Sequence, residues 1–328
     1  MKKSKKKITI IRSEHPELRS MGPKYTKLLL EALSTGYENV TVLMINNQSD
    51  ISKLKDLKPN LVIVGMKNLP LPKDKFDDSI TPVALLEKLK INFAGSKDAS
   101  RSIGRQKELA KEVMKKANIP TAGYFMAKPD QYHTGNNLPL KFPLFIKPPH
   151  RGQGLGIDAD SVARNFKEYE SKVKSIHKLF NSKSLVEQYL NGREFTVAIM
   201  EHENGQALNT MPVELIAAEN DRGDRIIGSR IKNEDNESVL LIAEPHIKKV
   251  VIALAESVFR QLGARDYARV DIRMSDAGTA YFIEANLSPG LGHGYFTRAF
   301  SINTGVDYDK LICRICDICM NKNRKLLN

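Results

Sequence analysis

Arg269-Val270-Asp271-Ile272-Arg273 and, after a short turn at residues 275–279, Ala280-Tyr281-Phe282-Ile283-Glu284-Ala285-Asn286-Leu287-Ser288-Pro289-Gly290 decide how this chain is read. Both runs are strand-like and joined by a turn short enough for a hairpin. That hairpin sets Asp271 across from Glu284 and Asn286, and Asn286 shares a face with Glu284 because it lies two residues on. Two carboxylates and an amide oxygen are hard ligands suited to Mg²⁺, which keeps part of its water and takes further ligands from phosphates. Isolated acids at strand ends are ordinarily solvated. Here Ile283 and Ala285 flank the acid and a Pro-Gly turn follows at once, which favours a metal site.

Two further elements lie upstream. Lys147 ends an apolar strand, residues 142–147, just before the glycine-rich stretch 150–156. A lysine emerging there meets phosphates with its charge, and the loop meets them with backbone N–H groups. The order is not that of a P-loop, and no helix opens directly after it, so taken alone the segment also reads as a plain glycine hairpin. Val186-Glu187-Gln188-Tyr189-Leu190 then precedes Arg193-Glu194-Phe195-Thr196-Val197. A strand passing from one domain to the next offers backbone groups to a purine edge, and Glu194 offers a carboxylate to a ribose hydroxyl pair. Strand, turn, strand with solvated acids is the alternative.

Around these elements the first 95 residues alternate. Residues 8–11, 40–45, 61–64 and 91–94 read as strands, and 25–33 and 82–89 as helices, which implies a parallel sheet with right-handed crossovers. No G-x-G-x-x-G follows the first strand, so a dinucleotide site there is not supported. A helix over 107–117 stops at Asn118-Ile119-Pro120, where proline cannot continue the ladder. Helix 166–180, strands 184–190, 194–200 and 207–215, a polar stretch at 219–237 and helix 247–262 lead back to the hairpin. The fold class is α/β followed by α+β, with expected domains 1–95, 96–190 and 191–328.

The chain has 328 residues and a net charge of +13, which suggests a polyanion partner. Five of those charges sit in Lys2, Lys3, Lys5, Lys6 and Lys7, read as a solvated tail, and three in Lys322, Arg324 and Lys325. Without those eight the balance is +5, too little to argue for nucleic acid. Residues 8–11 are too short for the core of a signal peptide, and no apolar run approaches the ~20 residues of a membrane span. Cys313, Cys316 and Cys319 lack the fourth cysteine of an iron–sulfur run and fit a buried helix stripe, with Ile312 and Ile315 on the same face. The expectation is a cytoplasmic protein with small-molecule substrates and no membrane partner; a homodimer stays open.

Taken together, these elements resemble the ATP-grasp superfamily, in its D-alanine–D-alanine ligase branch. The resemblance runs from Gly95 to the C-terminus and is carried by Gly95-Ser96, Lys107, Ile119-Pro120, Phe142-Pro143 through Lys147-Pro148, Glu187, Glu194 through Val197, Asp271, Glu284-x-Asn286 and Ser288-Pro289-Gly290. It implies ATP between a central and a C-terminal domain, behind an N-terminal Rossmann-like one. By resemblance Lys107 and Lys147 contact phosphates, Glu187, Gln188, Tyr189 and Leu190 line the adenine pocket, and Glu194 holds the ribose. Asp271, Glu284 and Asn286 bind two Mg²⁺ ions (Mn²⁺ as substitute) with Glu284 bridging, and Arg269 and the Gly290 N–H stabilise an oxyanion. The implied activity is ATP-dependent ligation of a carboxylate to an amine through an acyl phosphate. A phosphotransferase and a non-catalytic nucleotide-binding module are the alternatives.

Three segments depart from that branch. Arg12-Ser13-Glu14-His15 stands where a Gly-Gly-x-Ser-x-Glu-like run is expected, Gln153-Gly154 replaces paired serines, and Gly292-His293-Gly294-Tyr295 replaces a Ser-His-Ser-like segment. The nucleotide side is kept and the amino-acid side altered. His293 and Tyr295 are therefore the acceptor-site candidates, and Tyr295 predicts that D-alanine is a poor second substrate or none.

Overall fold

The computed structural model describes residues 2–69, 81–150, 152, 154–203, 205, 207–234 and 236–321; Gln153 and the C-terminal Lys322, Arg324 and Lys325 lie outside them. The N-terminal part comprises β1 (Ser4–Arg12), α1 (Pro23–Gly36), β2 (Tyr37–Met44), α2 (Lys53–Leu57), β3 (Leu61–Val64) and α3 (Pro82–Lys88). Its strands pair in parallel in the order β2-β1-β3. Ile8, Ile10, Leu61 and Ile63 pack with α1, and Ile11, Ile45 and Val62 pack on the opposite side with Leu54, Val83 and Leu86. A parallel sheet covered on both faces explains why these strands read as unbroken apolar runs.

Two expectations need correction here. The lysine run is not wholly a solvated tail. Ser4 pairs with Tyr37 and Lys7 with Asn39, so the strand begins four residues before its apolar part, the backbone pairing while the lysine side chains reach water. Residues 91–94 form no strand. Phe93 makes an isolated parallel bridge to Val62, and the chain bends away at Ala94 and Gly95, the latter at φ 93.

Next come α4 (Asp98–Arg105), α5 (Lys107–Lys116), β4 (Tyr124–Ala127), β5 (Leu144–Lys147), β6 (Val162–Ala163), α6 (Phe166–Phe180) and β7 (Ser184–Gln188). The four strands form an antiparallel sheet, β4-β7-β5-β6. Helix α6, capped by Asn165, lays Tyr169, Val173 and Ile176 against Leu144, Ile146 and Val186. The strand expected to reach residue 190 ends at Gln188.

The last part holds β8 (Glu194–Glu201), β9 (Leu208–Ile216), α7 (Ser229–Glu234), β10 (Ser238–Leu241), α8 (Pro245–Gln261), β11 (Tyr267–Met274), β12 (Ala280–Asn286), α9 (Tyr295–Thr304) and α10 (Tyr308–Asn321). Its antiparallel sheet runs β10-β9-β8-β11-β12. The stretch read as merely polar, 219–237, contains the short helix α7. Ala110 and Met114 of α5 share one core with Phe195, Val258 and Phe282, so α5 lies against this third sheet although the second follows it in sequence. That packing carries Lys107 and Lys111 to the hairpin. In α10, Ile312, Ile315, Cys316 and Cys319 are buried against α1 and the first sheet, the stripe expected from the sequence, and burial pushes the Cys316 and Cys319 thiols up.

Candidate active site

The hairpin pairs Asp271 with Glu284 and Arg269 with Asn286, with an irregularity in register immediately after Asp271. Register breaks of this kind re-aim side chains and recur beside active sites. Asp271 is held from two sides. Arg269 forks onto it with Nε and Nη2 at 2.9 and 2.8 Å, and Thr196, its register partner on β8, donates to Oδ1 at 2.6 Å. Burial would lower the Arg269 pKa, but Asp271 above all, with Glu284, raises it. Arg269, expected at an oxyanion, is thus engaged by Asp271 in this state. Glu284 Oε2 lies 3.1 Å from Lys107 Nζ, and Asn286 Oδ1 accepts the Ser288 N–H at 3.0 Å.

One cavity is lined by Lys107, Lys147, Glu187, Gln188, Tyr189, Leu190, Glu194, Asp271 and Glu284, nine of the residues named from the sequence. Phe145, Ile157, Ile226 and Ile227 supply apolar wall. Its floor is a buried ion cluster. Glu187 is 2% exposed, with Oε1 at 2.6 Å from Lys111 Nζ and Oε2 at 2.7 Å from Lys147 Nζ. Burial would push the Glu187 carboxyl up, but the two lysines hold it below the usual carboxylate range. Tyr189 stacks on Phe145 with ring centroids 6.4 Å apart, and burial pushes its phenol up to about 12.

At the other end of the cavity Arg273 Nη1 lies 3.0 Å from Glu194 Oε2, and its guanidinium sits 5.6 Å from the Tyr189 ring centre. Over the cavity the glycine-rich loop meets the segment before α7. Gly154 takes φ +72, and a Cβ there would stand 2.7 Å from the Gly228 backbone, so the close approach requires glycine.

Arg269, Asn286, Gly290, His293 and Tyr295 are not part of that lining. Gly290 is exposed, with open space where a Cβ would stand. His293 is exposed and packs on Tyr308, ring centroids 4.7 Å apart. Tyr295 starts α9, donates its hydroxyl to Glu237 and lies beneath the Arg269 guanidinium, 5.5 Å from ring centre to Cζ.

Residues 113–317 match the family model described as D-ala D-ala ligase C-terminus, well over half of the chain. The chain belongs to this ligase family. The D-alanine–D-alanine ligase of Francisella tularensis subsp. novicida is 26% identical over 316 residues, covering 96% of this chain and 99% of that protein. That of Aquifex aeolicus is 28% identical over 264 residues, covering 79% and 82%. The crystal structure of D-alanine–D-alanine ligase from Bacillus anthracis complexed with ATP shares the fold at a TM-score of 0.73 and 20% identity, over 98% of this chain and 100% of that one. The sequence resemblance began at Gly95; the Francisella relative and, in fold, the Bacillus anthracis structure cover nearly the whole chain. As a member of this family the protein is an ATP-dependent carboxylate–amine ligase with the ATP-grasp fold. No described helix is long and apolar enough to cross a membrane.

Sequence reasoning missed several residues in and beside this cavity and the hairpin. Arg273 stands two residues after Asp271, and Lys111 four after Lys107, spacings that place each pair on one face of a strand or helix. Those spacings were the available signal. Thr196 lies in the run 194–197 that carried the resemblance but was given no role, and Ile226, Ile227 and Glu237 sit in a polar, aperiodic stretch that carried no signal.

Proposed function

We propose that this ligase binds ATP in the cavity between the second and third sheets, with the adenine toward Glu187, Gln188, Tyr189 and Leu190, the ribose at Glu194 and the phosphates toward Lys107 and Lys147. The observation that carries this is the gathering of all these groups, with Asp271 and Glu284, in the lining of one cavity. The hairpin fits a divalent cation: Asp271, Glu284 and Asn286 offer hard oxygens on facing strands, and the carboxylates now meet Arg269 and Lys107. In this reading these three residues would hold two Mg²⁺ ions, or Mn²⁺ in their place, and the metal would supply neutralisation of phosphate charge.

The protein's own groups then act by position and charge, which phosphoryl transfer needs more than covalent help. Lys107 and Lys147 orient the γ-phosphate toward a substrate carboxylate. The carboxylate oxygen bonds to phosphorus as the bond to ADP breaks, giving an acyl phosphate. An amine then attacks the acyl carbon, the Gly290 N–H and Arg269 face the oxyanion, and phosphate leaves as the C–N bond is completed. The domains 1–95, 96–190 and 191–328 belong to this proposal, supported by the three separate sheets.

An ADP-release screen over amino acids and small carboxylates, with mass spectrometry of products, tests the function. The expected result is ADP, free phosphate and an amide-linked product. ADP with a phosphorylated acceptor would make the protein a phosphotransferase, and ATP binding without release under any pairing would make it a binding module. Lys147→Ala is expected to weaken ATP binding and slow transfer roughly 10- to 150-fold, the worth of a contact of ~1.5–3 kcal/mol to a charged group. Titration calorimetry and single-turnover kinetics check this, and unchanged values would leave Lys147 with no role beyond ending its strand.

A further inference from the structure

We infer that Lys111 is a positioning residue for the nucleotide pocket, an internal counter-ion that sets Glu187 and, through it, Lys147, and ties both to the strand bearing Glu284. The inference rests on the proposed ATP site. Lys111 is 0% exposed, rare for a lysine without a specific partner. It has two polar partners: Nζ lies 2.6 Å from Glu187 Oε1 and donates to Thr121 Oγ1 at 2.9 Å. Thr121 in turn donates to the carbonyl of Phe282 at 3.1 Å, two residues before Glu284. From the other Glu187 oxygen the chain of contacts continues to Lys147 at 2.7 Å. The line from Phe282 through Thr121, Lys111 and Glu187 to Lys147 joins the proposed metal strand to the proposed phosphate contact.

Competition for one carboxylate gives Lys111 its effect. Glu187 divides its oxygens between two ammonium groups, so Lys147 has only one of them and the cluster keeps a net positive charge for an anionic ligand. Without Lys111 both oxygens can turn to Lys147, which becomes neutralised and drawn away from the cavity. Lys107, one helical turn earlier on α5, reaches Glu284 in the same way, so one helix face presents a cation to each half of the site.

The test compares Lys111→Met, Thr121→Val and Lys147→Ala in the full chain, measuring the KM for ATP, the KM for the amino or carboxylate substrates, and thermal unfolding. Lys111→Met is expected to raise the KM for ATP roughly 10- to 100-fold, the scale for removing a group that orients a direct contact, while the other KM values stay put. A residue that only fills the core would lower the melting temperature and leave the KM for ATP of the folded enzyme unchanged, and that outcome overturns the inference. If Lys111→Met does not fold, Thr121→Val decides. It keeps the shape and removes the tether, with an expected rise of about fivefold in the KM for ATP, the worth of one hydrogen bond, and no rise overturns the inference. Lys147→Ala separates the two levels: if it leaves ATP binding unchanged, the ATP site itself is misplaced, whereas an effect there with none in the other two variants rejects positioning alone.

Discussion

Glu284→Gln is expected to remove turnover while leaving the fold intact. Glutamine keeps the volume of glutamate and loses its charge at the one position that faces both Asp271, across the hairpin, and Lys107, at 3.1 Å. A metal at a phosphoryl-transfer site contributes several kcal/mol of charge stabilisation, and each 1.36 kcal/mol is tenfold in rate, so a loss of about 10³-fold in kcat is expected. Stability should barely change. The Glu284 side chain is 26% exposed, and ion pairs open to water are worth about 0–1 kcal/mol, a shift of a few degrees at most for a protein of this size. Thermal unfolding and a Mg²⁺ titration of the rate check both halves. Wild-type turnover in this variant would remove Glu284 from the metal site and leave its ion pair with Lys107 as a structural contact.

The hairpin was legible because strand periodicity and a short turn leave little choice of register, so two-residue spacing alone put Glu284 and Asn286 on one face opposite Asp271. The same rule was available for Arg269 and Asp271, which also lie two residues apart, and it announces the fork that the structure shows. The resemblance instead directed Arg269 toward an oxyanion. Lys111 was hidden for a different reason. In a helix with lysines at 107, 111, 115 and 116 the four-residue spacing puts Lys115 on the same face as Lys107 and Lys111, so spacing alone does not tell that only the first two are buried, which depends on α5 crossing to the third sheet. The lysines of β1 show the converse, since strand pairing is a property of the backbone and the polar side chains there say only which way they point. Glu237 lies in a stretch without period, where residue type gives no face at all. The residues proposed for the nucleotide end, carried mostly on strands and strand ends, therefore come together in one cavity, whereas His293 and Tyr295, on a loop and a helix start, lie outside its lining.

D-alanine is expected to be a poor acceptor, although the relatives named above are D-alanine–D-alanine ligases. An α-amino acid presents a carboxylate that needs a cation or hydroxyl partner. At the end of the site after Gly290 this chain offers the Tyr295 ring, with its hydroxyl donated to Glu237. Burial, and then Glu237 itself, pushes the Tyr295 phenol up, so it remains a neutral donor committed to that carboxylate. Glu237 is 6% exposed, and its Oε2 has no hydrogen-bond partner among the described residues, so a second carboxylate brought alongside would meet a like charge. The nearby cation, Arg269, is engaged by Asp271 and stacked on the same ring. An unpaired charged group costs more than the ~1–3 kcal/mol of a neutral one, so turnover with D-alanine should fall at least about 100-fold below that with the true acceptor. A coupled ADP assay with D-alanine as sole amino acid at millimolar concentration, followed by mass spectrometry, measures this directly. Robust formation of the D-alanyl dipeptide would mean that Tyr295 and Glu237 rearrange on binding and free Arg269 for the acceptor carboxylate.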